Sequence, residues 1–294
     1  MELPLGVRRL LSDVLLALRI IKKRKSSLVG FIIVVAFTLM ATIGPIVVPF
    51  DRTPNVSKRF LPPSFEHPLG TDYAGRDIFA QIVHGSRDVL TVAFLTALFT
   101  VIIALTVGIF SGYVGGKIDA ALMGVTNIFM IIPRFPLLVI IAASIPRVLS
   151  PVEVAIIISI VGWAGLARAI RSQVLAIKET PFIEAAKCLG LSRFHIVFRE
   201  IMPNLMPYIA MNLVLSIIGA IYAQVGLFFI GALPFTTVNW GIMINIAISQ
   251  GALISPKLWI YLLSPIVCII LLETGFILFL HALEEIFNPR IREE

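Results

Sequence analysis

Six apolar runs divide the chain, at 28–49, 89–112, 122–145, 152–169, 205–230 and 259–279, and nothing else in it limits folding so sharply. A bilayer is crossed by about 20 apolar residues in helix, each rising about 1.5 Å. Each run reads as one such crossing, the fourth being the shortest. With 58% hydrophobic and 14% charged residues, the chain has too few charges for the surface of a soluble domain of 294 residues. The first run reads as a retained span rather than a cleaved leader. It is too long for the apolar part of a leader, no small-x-small site follows it, and more spans come after.

Orientation follows from basic residues. Lys22-Lys23-Arg24-Lys25 precedes the first run and holds the N-terminus in the cytoplasm. Six crossings then place both termini, the short 114–121 turn and the long 170–204 segment inside. Of the 24 Lys and Arg, 16 fall inside (counting Arg168 at the inner edge of its run), seven outside and Arg134 within a span. The net charge of +7 is thereby accounted for by orientation and anionic lipid, with no nucleic acid required. Cys188 and Cys268 fall in an inner loop and a span, so no disulfide framework is expected. His67, His84, His195 and His281 lack metal-ligand spacing. Gly112-xxx-Gly116-Lys117 has the wrong glycine spacing for a phosphate loop, and Ile118 stands where a Ser or Thr would bind magnesium. No catalytic constellation gathers on one side of the membrane. The reading is an all-α membrane protein with a cytoplasmic arm (1–27), a six-span domain (28–280) holding an external loop at 51–87, and a cytoplasmic tail (281–294).

The long inner segment contains Glu184-Ala185-Ala186, then Gly190, then Ile201-Met202-Pro203. Thr180-Pro181 can start a helix as N-cap and first residue. Gly190 can close it in the left-handed conformation. Ser192 can cap a second short helix, expected to end before Pro203 and Pro207. Four further motifs follow chain order elsewhere: His67-Pro68-Leu69-Gly70-Thr71-Asp72 with Gly75-Arg76-Asp77; Gly112 to Asp119; Asn239-Trp240-Gly241; and Asn288-Pro289-Arg290-Ile291-Arg292. Together they resemble the permease subunits of ABC importers in the dipeptide/oligopeptide branch, from about residue 24 onward. The N-terminal arm is similar to that of the C-type subunit of the permease pair.

That resemblance implies a type I importer permease fold in the cell membrane. It implies as partners a second homologous permease, two ATP-binding subunits and an extracytoplasmic substrate-binding protein. No cofactor would be bound by this chain; ATP and magnesium would sit in the ATPase subunits. The segment carrying Glu184, Ala185, Ala186, Gly190 and Arg193 would be the coupling element, docking on an ATPase. Arg193 and Arg199 would meet acidic partner surface or serve as orienting charges. Asn239, Trp240 and Gly241 would dock the binding protein. The branch carries di- and oligopeptides, and similar permeases carry nickel complexes or oligosaccharides. A channel or secondary transporter would need no coupling element.

Four residues are candidates for the pathway: Arg134, Asn212, Gln224 and Glu273. An Arg at mid-membrane costs about 2.5–3.5 kcal/mol on insertion scales, so Arg134 should face protein or water. Either it faces the pathway as a substrate or gate residue, or it pairs structurally with Glu273 in the sixth span. Asn212 and Gln224 are expected on one broad face of the fifth span, where Gly219, Gly226 and Gly231 allow close helix packing. Leu227 to Leu233 and Arg134 depart from the branch's usual residues near that pathway.

Overall fold

A computed structural model of the chain describes residues 16, 19–145, 147–234 and 237–287. The arm to residue 15, residues 17–18 and the 288–292 motif lie outside them. The described residues form α-helices with one isolated β-bridge, Thr71 to Asp77. They are α1 (Lys25–Thr42), α2 (Ile78–Val114), α3 (Gly116–Ile131), α4 (Arg134–Ala143), α5 (Pro151–Gly162), α6 (Ala164–Lys178), α7 (Pro181–Cys188), α8 (Met202–Phe229), α9 (Trp240–Ser249) and α10 (Trp259–Phe287).

Four helical stretches are each long and apolar enough to cross a membrane: α1, α2, α8 with the residues leading into it from Arg193, and the C-terminal helix. The other two expected crossings are bent pairs. α3 and α4 meet at 83°, and α5 and α6 at 55°. The first bend has a local cause. Ile132 precedes Pro133 and is driven into the extended region, at φ −73° and ψ 127°, which ends α3. Pro136 then sits in the first turn of α4, where a missing N–H costs nothing.

Two other boundaries differ from expectation. α2 begins at Ile78, well before its apolar run, so the 51–87 loop is helical over its last part. The second short helix does not stop at the prolines. Arg193–His195 passes through a wide π-helical turn, Ile196–Ile201, directly into α8. Pro203 falls in the first turn of α8, and Pro207 lies inside the helix. The offset hydrogen bonding of the π turn, including Met202 N–H to the Val197 carbonyl, lets the backbone continue past the prolines. α9 was not foreseen; at ten residues it is too short to span.

α2 is the central helix, packing against α1, α5, α6 and α8. Its approach to α6 is very close. A Cβ at Gly108 would stand 2.7 Å from the Ala167 carbonyl, and one at Gly112 2.9 Å from Val174. α1 crosses α10 in the same way, with Gly30 and Gly275 at the contact. Lys23 and Arg24 reach the buried Glu285 at 3.6 and 3.5 Å, which joins the start of α1 to the last turn of α10.

Candidate functional site

At the end of the bundle opposite the chain termini, the residues 51–77 fold into a tight cap. Buried Asp72 accepts hydrogen bonds from the Ala74 and Arg76 N–H groups, from Arg76 Nε and from Gln81 Nε2, at 2.8–2.9 Å. Asp77 caps α2 through the Ala80 N–H at 2.7 Å and lies 2.7 Å from His67 Nδ1. Gly70 and Gly75 take φ of +76° and +79°, each pressed against a carbonyl, of Leu61 and Asn55. The motif's residue choice is thereby explained by its own folding.

Asn239, Trp240 and Gly241 join this cap from α9, and all three are buried. Asn239 accepts from the Gly241 N–H at 2.8 Å and donates to Asp88 at 2.7 Å. Trp240 Nε1 donates to the Ile82 carbonyl at 3.1 Å, and its ring fills the space a Cβ at Gly85 would need. A Cβ at Gly241 would stand 2.4 Å from the Val225 carbonyl. The trio expected to dock a binding protein is turned into the bundle in this structure, where it locks α9 onto α2 and α8.

At the opposite end stands the expected coupling element. Thr180 occupies the N-cap, but its hydroxyl donates to the Ile177 carbonyl instead of capping. Gly190, at φ +75°, closes α7. Its N–H bonds to the Lys187 carbonyl and that of Leu191 to Ala186, the paired closure that a left-handed residue permits. Ser192 caps the next helix through the His195 N–H at 3.2 Å. Of the alanine pair, only Ala186 is buried; with Ile183, Ile196 and Ile201 it packs against Ala167, Ile170 and Val174 of α6 and Leu205 of α8. Other apolar side chains of the element are open: Leu189 is 79% exposed, and Phe194, 72% exposed, has its ring 4.3 Å from that of Phe198, the two lining a groove against residues 102–114 of α2. Glu184, Ala185 and Arg193 are also exposed, and Glu184 forms no ion pair among the described residues.

The element is tied to the bundle by residues that the sequence reading passed over. Arg171 of α6 grips Asp119 at 2.5 and 2.6 Å, and Asp119 also accepts from the Ser111 hydroxyl. Lys178 donates to the Tyr113 carbonyl at 2.7 Å. The signal was present in the Gly112 to Asp119 motif, where an acid follows the turn at Gly115 and Gly116.

The four pathway candidates separate. Arg134 begins α4 at the bend, not midway along a continuous helix. Its guanidinium lies against Gly162, the last residue of α5, where a Cβ would come within 2.6 Å of it. It forms no ion pair with Glu273; that buried carboxylate on α10 lies beside the Tyr222 hydroxyl of α8. The structural-pair reading is thus corrected. Gln224 is fully buried and donates to the Val89 carbonyl at 2.6 Å, so it ties α8 to α2. Asn212 donates to the Tyr208 carbonyl of its own helix at 2.9 Å. These two do not share a face, since twelve residues at about 100° each leave them about 120° apart. Among the glycines, Gly226 does meet Phe135 closely, Gly231 takes φ +75° in the turn after α8, and Gly219 faces open space.

Comparison with known proteins places these features. Residues 104–293 match the family described as "Binding-protein-dependent transport system inner membrane component", and residues 14–63 match the "N-terminal TM domain of oligopeptide transport permease C". The dipeptide transport system permease protein DppC of Bacillus subtilis is 31% identical over 280 residues, 94% of this chain and 85% of that protein. The oligopeptide transport system permease protein OppC of Lactococcus lactis subsp. cremoris is 32% identical over 275 residues, 92% of each. In fold, the chain is similar to a solved chain of the MetNI methionine ABC transporter in an inward-facing conformation. That match has a TM-score of 0.55 and 17% identity, covering 69% of this chain and 96% of that one.

Proposed function

Since the chain belongs to the inner-membrane components of binding-protein-dependent transport systems, in the dipeptide and oligopeptide permease branch, we propose that it is one half of a permease pair importing di- or oligopeptides. It is a multi-pass membrane protein that works with other subunits of an ABC transporter. In this reading two ATP-binding subunits, holding ATP and magnesium, sit at the end carrying both chain termini, which faces the cytoplasm. A substrate-binding protein approaches the opposite end.

The observation that carries the coupling role is the set of exposed apolar side chains, Leu189 and the paired Phe194 and Phe198, on an element whose Ile183, Ala186, Ile196 and Ile201 are buried. Large exposed apolar side chains grouped on a polar loop mark a docking site for protein. Movement of a docked ATPase would reach α6 through Ile183 and Ile196. From α6 it would pass to α2 through the glycine contacts and the Arg171–Asp119 pair. A tightly packed chain of contacts transmits such displacement rather than absorbing it. Glu184 offers the ATPase a carboxylate acceptor, and Arg193 a guanidinium donor.

The test is ATP hydrolysis by the co-expressed complex in lipid with its binding protein, against peptide and oligosaccharide panels. Peptide stimulation that disappears in Gly190→Trp is the expected result. Stimulation by sugars alone would reassign the cargo, and a chain that assembles with no ATPase would remove the importer reading.

A further inference from the structure

Both bent crossings break at the same place. Arg134, the first residue of α4, meets Gly162, the last residue of α5. Beside them a cavity of about 140 Å³ is lined by Thr96 and Thr100 of α2 and by Ser216 and Gly219 of α8, as well as Arg134 and Gly162. Three features make this a place for an anion. Arg134 donates no hydrogen bond and forms no ion pair among the described residues, although a guanidinium in a membrane protein ordinarily finds an acceptor. Thr100 lines the same cavity, and its hydroxyl is buried without a hydrogen-bond partner. The start of α4 at Arg134 adds the positive end of its helix dipole.

We infer that this cavity receives the terminal carboxylate of a peptide in transit. The inference rests on the peptide reading above and adds the group by which the permease itself holds its cargo. A guanidinium binds a carboxylate through two parallel hydrogen bonds. The second acceptor sites of the carboxylate are met by the Thr100 and Ser216 hydroxyls. Binding pockets for whole small molecules occupy roughly 300 Å³ or more, so 140 Å³ suits one end of a chain. A carboxylate is common to all unblocked peptides whatever their side chains. The permease can therefore hold varied cargo without reading its sequence. Gly162 leaves room for the guanidinium, whose tip would have to shift if a side chain stood there.

The test uses the full complex, with partner permease, ATPases and binding protein, in proteoliposomes. Uptake of one peptide is compared in free-acid and C-terminally amidated forms. Because the same binding protein serves every variant, a change in the acid-to-amide ratio belongs to the permease. Arg134→Gln is expected to lower that ratio about tenfold while uptake of the amide persists. Thr100→Val, which keeps the side chain's shape, should lower it about threefold, and Arg134→Lys should fall between wild type and Arg134→Gln. An unchanged ratio in Arg134→Gln and Thr100→Val overturns the inference. So does equal loss of both forms in Arg134→Gln, which would make the residue a gate. Restoration of Arg134→Gln by Glu273→Gln would overturn it in favour of a structural pair. Uptake of neither form by the wild-type complex overturns the peptide reading, and this inference with it.

Discussion

At one end of the bundle, Asp72, Asn239 and Trp240 are buried, and their polar groups are engaged by Gln81, Asp88 and the Ile82 carbonyl of the same chain. At the other end, Leu189 and Phe194 stand exposed, and Glu184 has no ion pair among the described residues. Both ends carry the chain's most recognisable motifs, yet the first set completes the fold and the second leaves it open. A motif therefore marks a constraint, and only burial tells whether the constraint comes from folding or from a partner. Substitutions at the two ends should accordingly fail in opposite ways.

Asp72→Ala should produce the largest effect. Removing a buried carboxylate strands the Arg76 guanidinium and the Gln81 amide, at a cost of about 3–5 kcal/mol. Thermal unfolding in detergent should show the loss, with reduced yield of folded protein. A melting temperature within a few degrees of wild type would mean that the cap is not integral to the fold. The combined Phe194→Ala and Leu189→Ser change should do the reverse. Both side chains are already exposed, so stability should move by about 0.5 kcal/mol or less. Peptide-stimulated ATP hydrolysis in the complex should fall tenfold or more. Retained stimulation would place the coupling contact elsewhere.

Gly190→Ala tests the open end from within. No atom stands within 4 Å of the added Cβ, so the cost is the backbone's alone, about 1–2 kcal/mol for a left-handed non-glycine residue. Gly190→Asn should cost less, because Asn visits that region more readily. Thermal melts of the two variants should differ in that order. Equal loss in both would point to a packing cause not visible in this chain alone.

What was legible in the sequence was local. The six crossings followed from run length, and the glycine closure and Ser192 cap from residue type. The bend at Ile132 was also written locally, in the residue before a proline, but a continuous apolar run concealed it. Pro203 and Pro207 misled in the opposite direction, since a π turn, Ile196–Ile201, with Ile196 and Ile201 buried, carries the helix past them. Side-chain burial was the least legible. Gln224 faces the core because α2 lies against it, and the Asn239–Gly241 trio because α2 and α8 do, and those contacts join residues far apart in the chain.

The smallest expected effect concerns the link between the two regimes. Arg171 and Asp119 are both partly exposed, so their pairing should contribute no more than about 1 kcal/mol, measured by a double-mutant cycle of Arg171→Ala and Asp119→Ala. The pair nevertheless joins the α2–α3 turn to α6, on which the proposed coupling element rests. If it relays motion, either single change should reduce peptide-stimulated hydrolysis severalfold while basal hydrolysis and melting temperature hold. If stability and stimulation fall in proportion, the pair is only a clasp, and the glycine contacts at Gly108 and Gly112 alone carry the displacement from α6 to α2.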